Sequence, residues 1–322
     1  MIRITRSTPA LLLAACAPGL EVDETRLTGP RILAVEARPA EAAPGEIVRL
    51  TAQVAEGDAA EVQWSVCVAR KPLTEAGPVS PACVQAQADA LLPAGQGASI
   101  ELEVPRDACR LFGPDPPPAV EGQPPGRPVD PDFTGGYQLP IRLDGPGGFV
   151  FHGLRLTCGA AGASREEAAD LRRRGHRNTP PSIETGPLAE TRVAAGATVS
   201  LAVTWPACPS EDVCGDGLCG PDEDIAGCPA DCTTPVGCGG AERYVLLDPE
   251  TRDVTERTEV LRVAWLATGG AFAEPRTGGG ATGSTNTWIA PTQPGSYRLW
   301  VVVRDERGAA TARLTEIEVR AP

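Results

Sequence analysis

The segment YRLWVVV, residues 297–303, is the strongest strand candidate in this chain of 322 residues. Its last five residues are all apolar, so both faces of a strand formed here would be apolar. A strand that is buried on one face alternates apolar and polar residues, whereas a strand that is covered on both faces does not. The segment therefore predicts a central strand in a domain built from β-sheet.

Shorter strand candidates surround this segment and are separated by turns. The composition favours this organisation over long helices, because 36 Gly and 33 Pro residues interrupt the chain. In the second half the other candidates are residues 191–193, 198–205, 243–247, 260–266, 286–291 and 311–319. In the first half they are residues 31–36, 47–54, 62–67, 99–104, 136–143 and 149–156.

The first half resembles an immunoglobulin-like β-sandwich. Short strands alternate with turn clusters, and Trp64 lies in the third strand candidate. Residues 99–104 show the cleanest alternation of apolar and polar side chains. The resemblance implies two sheets packed face to face, with a long loop rich in Pro and Gly between Cys109 and Thr134.

The second half is similar to the late strands of PKD and related immunoglobulin-like domains. Those domains commonly carry P-G-x-Y, an apolar strand and V-x-D-x-x-G. This chain has PGSY at residues 294–297, then the apolar strand, then VRDERG at residues 303–308. The resemblance carries no catalytic residues, and it implies a spacer, adhesion or partner-binding module.

One helix is predicted between the two halves, over residues 164–175. Ser164 and Glu167 have the spacing of a capping box at its start. Three arginines, residues 172–174, fall in the last turn, where cations favour the helix dipole, and Gly175 suits the position after the helix end. The arginines are therefore better explained by the helix end than by a ligand-binding patch.

The predicted fold class is mainly β, with two immunoglobulin-like β-sandwich domains, a short linker helix and a disulfide-rich insert. The predicted parts are a lipoprotein signal peptide (1–15), a tether (16–30), an Ig-like β domain (31–160), a helical linker (161–181) and a PKD/Ig-like β domain (182–322) with the insert at 208–238.

The insert, CPSEDVCGDGLCGPDEDIAGCPADCTTPVGC at residues 208–238, holds six cysteines and few apolar side chains. Such a segment cannot hold a shape by packing alone, so we expect disulfides to stabilise it. Disulfides persist outside the cytosol, which predicts an extracytoplasmic protein. The insert resembles the CGDGxC…E…C…DC repeats of secreted bacterial proteins.

Ten cysteines are disulfide candidates, four dispersed and six in the insert, and both numbers are even. Cys67 could pair with Cys83 and Cys109 with Cys158, whereas the connectivity of the six is open. The candidates are Cys67, Cys83, Cys109, Cys158, Cys208, Cys214, Cys219, Cys228, Cys232 and Cys238.

Three interpretations of the insert compete: a purely structural disulfide module, the same module with a weak calcium site, and a zinc–thiolate site. Zinc would need reduced thiols, which are rare outside the cytosol. The spacing of the acids does not match an EF-hand loop. The structural interpretation is favoured, and calcium is the one cofactor considered. Its candidate carboxylate ligands are Asp216, Asp222, Glu223, Asp224 and Asp231.

The N-terminus has the features of an export signal. Arg3 and Arg6 precede the apolar run ALLLAA, residues 10–15, which is followed by Cys16. The sequence LAAC resembles the lipobox of bacterial lipoproteins, which implies that Cys16 is lipidated and becomes the new N-terminus. The alternative is an ordinary secretory leader with an unrelated cysteine. Ala17, rather than Asp, favours the outer membrane by the same resemblance. The leader and the start of both domains are similar to myxobacterial lipoproteins.

The charge and the motifs limit the function. A formal net charge of −13 argues against a nucleic-acid partner. The two histidines, His152 and His176, lie near no nucleophile motif, and no G-x-S-x-G is present.

We therefore expect a non-enzymatic envelope lipoprotein, anchored to the membrane through its N-terminal lipid, that binds or scaffolds protein or glycan. The insert and the glycine-rich loop at residues 277–283 are the expected contact surfaces. The alternatives are a structural spacer and, less favoured, an extracytoplasmic hydrolase with paired carboxylates.

Overall fold

The computed structural model describes most of the chain downstream of residue 22. The described residues are 23–69, 79–112, 137–159, 163–174, 177–188, 190–209, 213–215, 217–219, 223, 226–232, 237–248, 251 and 253–321. The predicted signal peptide, Cys16 and most of the predicted Pro- and Gly-rich loop lie outside these residues.

The first domain is a β-sandwich of a three-stranded and a five-stranded sheet. Its strands are β1 (Arg31–Arg38), β2 (Glu41–Ala42), β3 (Ile47–Ala55), β4 (Gln63–Cys67), β5 (Leu91–Gln96), β6 (Ser99–Glu103), β7 (Tyr137–Gly145) and β8 (Gly148–Leu156). The sheet orders are β1-β3-β6 and β2-β8-β7-β4-β5. Leu50 and Leu102 of the smaller sheet pack against Trp64 and Leu139 of the larger one, which forms a single apolar core. The indole N–H of Trp64 donates to the carbonyl of Gly97 at 2.8 Å.

Short helices complete this domain: a 3₁₀ helix (Ala59–Glu61), α1 (Pro81–Val84) and α2 (Ala108–Phe112). Arg142 fixes α1 to the outer face of the larger sheet. Its guanidinium donates to the carbonyls of Cys83 and Val84 at 2.8 and 2.7 Å, and it forms an ion pair with Asp144. The ring of Phe149 lies 4.0 Å from the guanidinium carbon.

The helix α3 (Arg165–Arg174) lies where the sequence predicts it. The capping box is present, because the backbone N–H of Ser164 donates to the Glu167 carboxylate and the backbone N–H of Glu167 donates to Ser164 Oγ. Gly175 and His176 lie outside the described residues. The helix packs on a strand pair of the second domain, where Arg174 donates to the carbonyl of Val254 at 3.5 Å.

The second domain is also a β-sandwich. It contains β9 (Arg192–Ala194), β10 (Thr198–Thr204), α4 (Pro229–Cys232), β11 (Arg243–Leu247), β12 (Val254–Thr258), β13 (Arg262–Ala267), β14 (Ala271–Phe272), β15 (Arg276–Gly278), β16 (Gly283–Ile289), β17 (Gly295–Arg304) and β18 (Ala310–Arg320). The sheet orders are β15-β13-β17-β18-β9 and β10-β16-β14, and β11 pairs with β12 in a separate ribbon. The mainly β fold class with two sandwiches is thus confirmed.

The strand β17 is buried on both faces, as the sequence predicts. Leu299, Val301 and Val303 point into the core of the second sandwich, where Trp265 and Trp288 also lie. The other face is covered by the first domain rather than by a second layer of its own domain. The double apolar pattern therefore specifies the packing between the domains as well as the fold of one of them.

An apolar interface joins the two sandwiches. Trp300 and Val302 of β17 pack with Leu33 and Ala34 of β1, and Val302 is fully buried. The guanidinium of Arg304 donates to the carbonyl of Leu33 at 2.6 Å. Salt bridges between Arg298 and Glu56, at 2.8 Å, and between Arg177 and Glu46, at 2.7 Å, lie at the margin of the interface.

The described part of the predicted tether, residues 23–30, differs from that prediction. The backbone N–H of Leu27 donates to the carbonyl of Ala267 at 2.8 Å, and the N–H of Ala267 donates to the carbonyl of Thr25 at 2.9 Å. The side chain of Leu27 is buried in the interface. A tether would be solvated along its length, so the prediction is wrong for residues 25–27, which form an extra bridge to β13.

Candidate functional site: the cysteine-rich insert and the domain junction

All ten candidate cysteines are paired in five disulfides. The two pairs of the first domain are those considered from sequence, Cys67–Cys83 and Cys109–Cys158. The insert contains Cys208–Cys238, Cys214–Cys228 and Cys219–Cys232. This pairing leaves no thiolate among the six insert cysteines, so the zinc–thiolate interpretation is wrong.

Asp231 organises the described part of the insert. Its carboxylate accepts the backbone N–H groups of Gly215 and Gly217 at 2.6 and 3.1 Å. Both glycines have positive φ angles, 99° and 86°, which residues with a Cβ adopt only with strain. The two parts of the motif, C-G-D-G and D-C, are therefore linked by hydrogen bonds. The two glycines of the first part direct their N–H groups toward Asp231 of the second part, which accepts both.

The calcium hypothesis stays a prediction. Asp216, Asp222 and Asp224 lie outside the described residues. Glu223 and Asp231 are buried, and their carboxylate oxygens lie within 4.8 Å of each other and of the sulfurs of Cys214–Cys228. Sulfurs in a disulfide are not metal ligands, and two lone pairs of Asp231 are used by backbone N–H groups.

We expect the D231N variant to loosen the insert even without metal. The amide has one acceptor oxygen, so one of the two glycine N–H groups loses its charge-assisted bond, which contributes about 1.5–3 kcal/mol. Hydrogen exchange at Gly215 and Gly217, measured in EDTA, should become about 10–100-fold faster. The exposed Asp89→Asn substitution is the control and should change nothing. Unchanged exchange in EDTA, with protection of the wild type only when calcium is added, would contradict the structural role.

The base of the insert is attached to the linker after α3. Cys208–Cys238 closes the base. The N–H of Gly237 donates to Thr179 Oγ1 at 3.0 Å, and the N–H of Gly239 donates to the Glu242 carboxylate at 3.1 Å. The insert is thus held at its root by groups that also belong to the domain junction.

The glycine-rich loop at residues 277–283 is only partly a free surface. The indole N–H of Trp205 donates to the carbonyl of Ala281 at 3.0 Å, and Gly279 lies so close to this indole that a Cβ would collide with it. The hydroxyls of Thr277 and Ser284 are hydrogen-bonded at 2.6 Å. Residues 280–282 remain exposed at the tip.

A buried ion-pair network lies next to the insert base. Arg307, in the turn between β17 and β18, donates to the carboxylate of Glu242 at 2.7 Å and also to that of Glu259. The three side chains are almost fully buried, and the guanidinium carbon lies 5.0 Å from the ring centre of Tyr244. The hydroxyl of Tyr244 donates to Glu306 at 2.7 Å.

The same turn contacts the linker and the first domain. The amide of Asn178 donates to Asp305 at 3.0 Å, and the backbone N–H of Asn178 donates to Glu41 at 3.3 Å. Glu41 also accepts from Arg155 at 3.1 Å. We call the seven residues of these two networks the junction cluster: Glu41, Arg155, Asn178, Glu242, Glu259, Asp305 and Arg307.

Burial perturbs the acids of the junction cluster. Burial raises the pKa of Glu259 to about 8, and Asp305 and Glu242 add to the rise, although Arg307 opposes it. Burial also raises the pKa of Asp305, against the hydrogen bond from Asn178 and the charge of Arg307. The cluster contains four carboxylates and two guanidiniums, so retained protons reduce an excess of buried negative charge.

The junction cluster does not resemble a hydrolase site. Glu242 and Glu259 converge on one guanidinium and are 2% and 4% exposed, so a substrate cannot reach them.

His152 lies on β8 with its Nε2 buried and without a hydrogen-bond partner in the described part of the chain. Burial, with a contribution from Arg304, lowers the pKa of His152 to about 4, so the ring is neutral at pH 7.

Comparison with known proteins shows no membership of a family. No family model matches the chain, and no curated protein matches it. One similar solved structure is the D0-D1 domain of Intimin, with 11% identity, coverage of 89% of this chain and 98% of that chain, and a TM-score of 0.23. Another is the adhesin InvE of Yersinia pseudotuberculosis, with 13% identity, coverage of 91% of this chain and 59% of that chain, and a TM-score of 0.24. A β-glycosidase from Bacteroides vulgatus is similar to the same degree, with 11% identity, coverage of 90% of this chain and 24% of that chain, and a TM-score of 0.24. With TM-scores this low, these similarities carry no argument about function.

Within the described residues, every helix is too short or too polar to cross a bilayer.

Proposed function

We propose that this chain is an exported, lipid-anchored protein of the cell envelope, on the outer membrane of a Gram-negative bacterium. In this proposal it has no enzymatic activity and acts as a binding or scaffolding module for protein or glycan. The observation that carries the proposal is the attachment of a disulfide-closed insert to a body of two packed sandwiches. The two sandwiches share an apolar interface, and the N–H of Gly237 at the insert root donates to Thr179 of the linker.

A rigid body that presents a disulfide-stabilised loop suits recognition. Loops on rigid scaffolds lose little conformational entropy when they bind, because their shape is set beforehand. The insert also displays an exposed apolar side chain, Val213, beside Cys214. The five disulfides support an oxidising compartment.

The proposed anchor would hold this body near the membrane. Six residues lie between Cys16 and Asp23, the first described residue, so the two Cα atoms are seven steps and at most about 25 Å apart when the chain is fully extended. Two residues beyond Asp23, at Thr25, the chain is already paired with β13. The anchor would therefore hold the Ala267 end of β13 near the bilayer, whereas the insert root lies beside Glu242 and Arg307, beyond the opposite end of the paired strand β17.

Two variants of the full-length protein test this proposal in one experiment of fractionation and in-cell cross-linking. The C16S variant should move from the membrane to the soluble fraction, since the lipid is the proposed anchor. The second variant replaces residues 209–237 by a Gly-Ser linker and keeps Cys208 and Cys238. It should stay in the membrane fraction and lose the cross-linked partner of the wild type. The conservative A17S variant is the matched control.

Two outcomes contradict the proposal. Membrane association of C16S would show another anchor. Cross-links that persist without the insert would show that the contact surface lies elsewhere on the sandwiches.

A further inference from the structure

A row of side chains crosses four strands on the outer face of the larger sheet of the first domain. Phe149 of β8 lies opposite Asp144 of β7. On the other side of Asp144, Gln63 of β4 and then Gln96 of β5 continue the row. Cross-strand partners point to the same face of a sheet, and neighbouring strands lie about 4.8 Å apart, so the row spans about 14 Å. We call these four residues the outer row.

The outer row is open to solvent. The side chain of Phe149 is 46% exposed, that of Asp144 is 43% exposed, and both glutamines are exposed. The second domain reaches this face at Gly308, whose Cβ position lies 3.4 Å from Gln138 Nε2. Gln138 is six residues, or about 20 Å, along β7 from Asp144. The row is therefore accessible in the body formed by the two sandwiches.

The ring of Phe149 is held in one orientation by its neighbours. The guanidinium carbon of Arg142 lies 4.0 Å from the ring centre, and Phe151 packs edge to face at 6.1 Å between centroids. Arg142 is itself fixed, because it donates to both oxygens of Asp144, at 2.7 and 2.6 Å, and to two carbonyls of α1. An aromatic side chain that is ordered in advance loses little conformational entropy when a ligand stacks on it.

The chemistry of the outer row matches a neutral sugar chain. The apolar C–H face of a sugar ring packs on the negative face of an aromatic ring. Sugar hydroxyls donate and accept hydrogen bonds, and so do the amides of Gln63 and Gln96. Arg142 uses two of the roughly four lone-pair sites of Asp144, so this carboxylate can also accept from a hydroxyl.

Charge and polarity argue against the other classes of ligand. The charge of Asp144 is balanced by Arg142, and the chain as a whole carries a net charge of −13, which disfavours polyanions. The centre of a protein–protein interface usually combines several apolar or aromatic side chains, whereas the outer row has one ring beside three polar groups.

We propose that the outer row binds a neutral, extended, β-1,4-linked oligosaccharide that lies across the four strands. One sugar ring stacks on Phe149, and the hydroxyls of the following rings bond to Asp144 and the two glutamines. An extended chain is expected because the row runs across a sheet face rather than into a pocket. The surface is separate from the insert, so this inference goes beyond the proposed function, and either can fail without the other.

The test titrates the purified protein with two neutral β-1,4-linked probes, cellohexaose and chitohexaose. Calorimetry should show binding of at least one of them, and saturation-transfer NMR should mark the C–H groups of one sugar face. The coiled, α-1,4-linked maltohexaose and the anionic polygalacturonate should bind at least about 10-fold more weakly.

The variants locate the sugar on the outer row. F149A should weaken binding at least about 10-fold, because the stacking surface is lost. The double variant Q63A/Q96A should weaken it about 3–10-fold, because two exposed amides no longer bond to hydroxyls. I47A removes another exposed apolar side chain, from the smaller sheet, and should bind as the wild type does. Equal melting temperatures of all four proteins show that the fold is intact.

The replacement of residues 209–237 separates this inference from the proposed function. That variant should bind the oligosaccharide as the wild type does, and F149A should keep the cross-linked partner of the wild type. Three results would overturn the inference: no binding of either β-1,4-linked probe, wild-type binding by both F149A and Q63A/Q96A, or loss of binding when the insert is replaced.

Discussion

The R307A variant is expected to lower the free energy of unfolding by about 3–5 kcal/mol, since removal of one partner from a buried ion pair leaves uncompensated charge. Arg307 is 1% exposed and is the shared partner of Glu242 and Glu259. Without the guanidinium, the buried acids Glu242 and Glu259 lose their shared donor and counter-charge. Urea unfolding at pH 7 with the disulfides intact, followed by tryptophan fluorescence, measures the loss.

The pH dependence of this loss identifies its cause. The pKa of Glu259 is about 8, and Arg307 lowers it, so removal of Arg307 should raise it further. The difference from wild type should therefore grow as the pH rises from 7 to 9. The R307K variant keeps a positive charge but cannot form two directed bonds as the guanidinium does, so we expect an intermediate loss.

Arg320 provides a matched control for Arg307. It pairs with Glu318 at 3.1 Å, but its side chain is 55% exposed, and ion pairs on the surface contribute little to stability. The R320A variant should therefore stay close to wild type. A loss in R307A no larger than that in R320A would mean that the junction cluster does not stabilise the fold.

Local sequence patterns predict the parts of this structure that depend on local physics. The capping box of Ser164 and Glu167 is fixed by a spacing of three residues along one helix turn. The six cysteines of the insert predict disulfides because no other interaction could hold so polar a segment. In the strand at residues 297–303, successive side chains point to opposite faces, so an uninterrupted apolar run predicts that both faces are buried.

Elements without such patterns escape prediction. The strand β5, LLPAGQ, contains Pro93 and Gly95, which argue against a strand, yet proline is tolerated there because β5 is an edge strand. The strand β12 is mostly polar and pairs only with β11, so burial leaves no alternation to detect. In both cases the pairing with a neighbouring strand, rather than the strand's own sequence pattern, establishes the strand.

The junction cluster could not be found from sequence for a related reason. Asn178 is 127 residues from Asp305, and Glu41 is 137 residues from Asn178. Each residue alone is an ordinary polar residue of a turn or linker. The one local signal is the charged turn RDER, residues 304–307, directly after a strand that is apolar on both faces. Charges that follow a doubly buried strand must either reach solvent or find buried partners. Here Arg304 and Glu306 are exposed, whereas Asp305 and Arg307 are buried with partners.

The double burial of β17 leads to the second large expected effect, that of a carboxylate placed at Val302. This residue is fully buried in the interface between the domains, on the face of β17 opposite the core of the second sandwich. An ionised carboxylate there would be removed from water without a partner, so we expect V302D to destabilise the junction by more than about 4 kcal/mol. The core around Trp265 and Trp288 does not touch this side chain, so each sandwich should stay folded.

The neighbouring residue gives the opposite expectation. Val301 lies in the core of the second sandwich, so V301D should unfold that domain. Leu314 of β18 lies opposite Trp300 but is 47% exposed, so L314D should change little.

Two measurements distinguish these variants. Small-angle X-ray scattering should show an expanded, still folded particle for V302D, and urea unfolding of V302D should show two separate transitions in place of one. If V302D and V301D both abolish the near-ultraviolet signal of the tryptophans, the two faces of β17 do not act independently. If V302D stays compact with one transition, the sandwiches are not held together by this interface, and the apolar pattern of residues 297–303 needs another explanation.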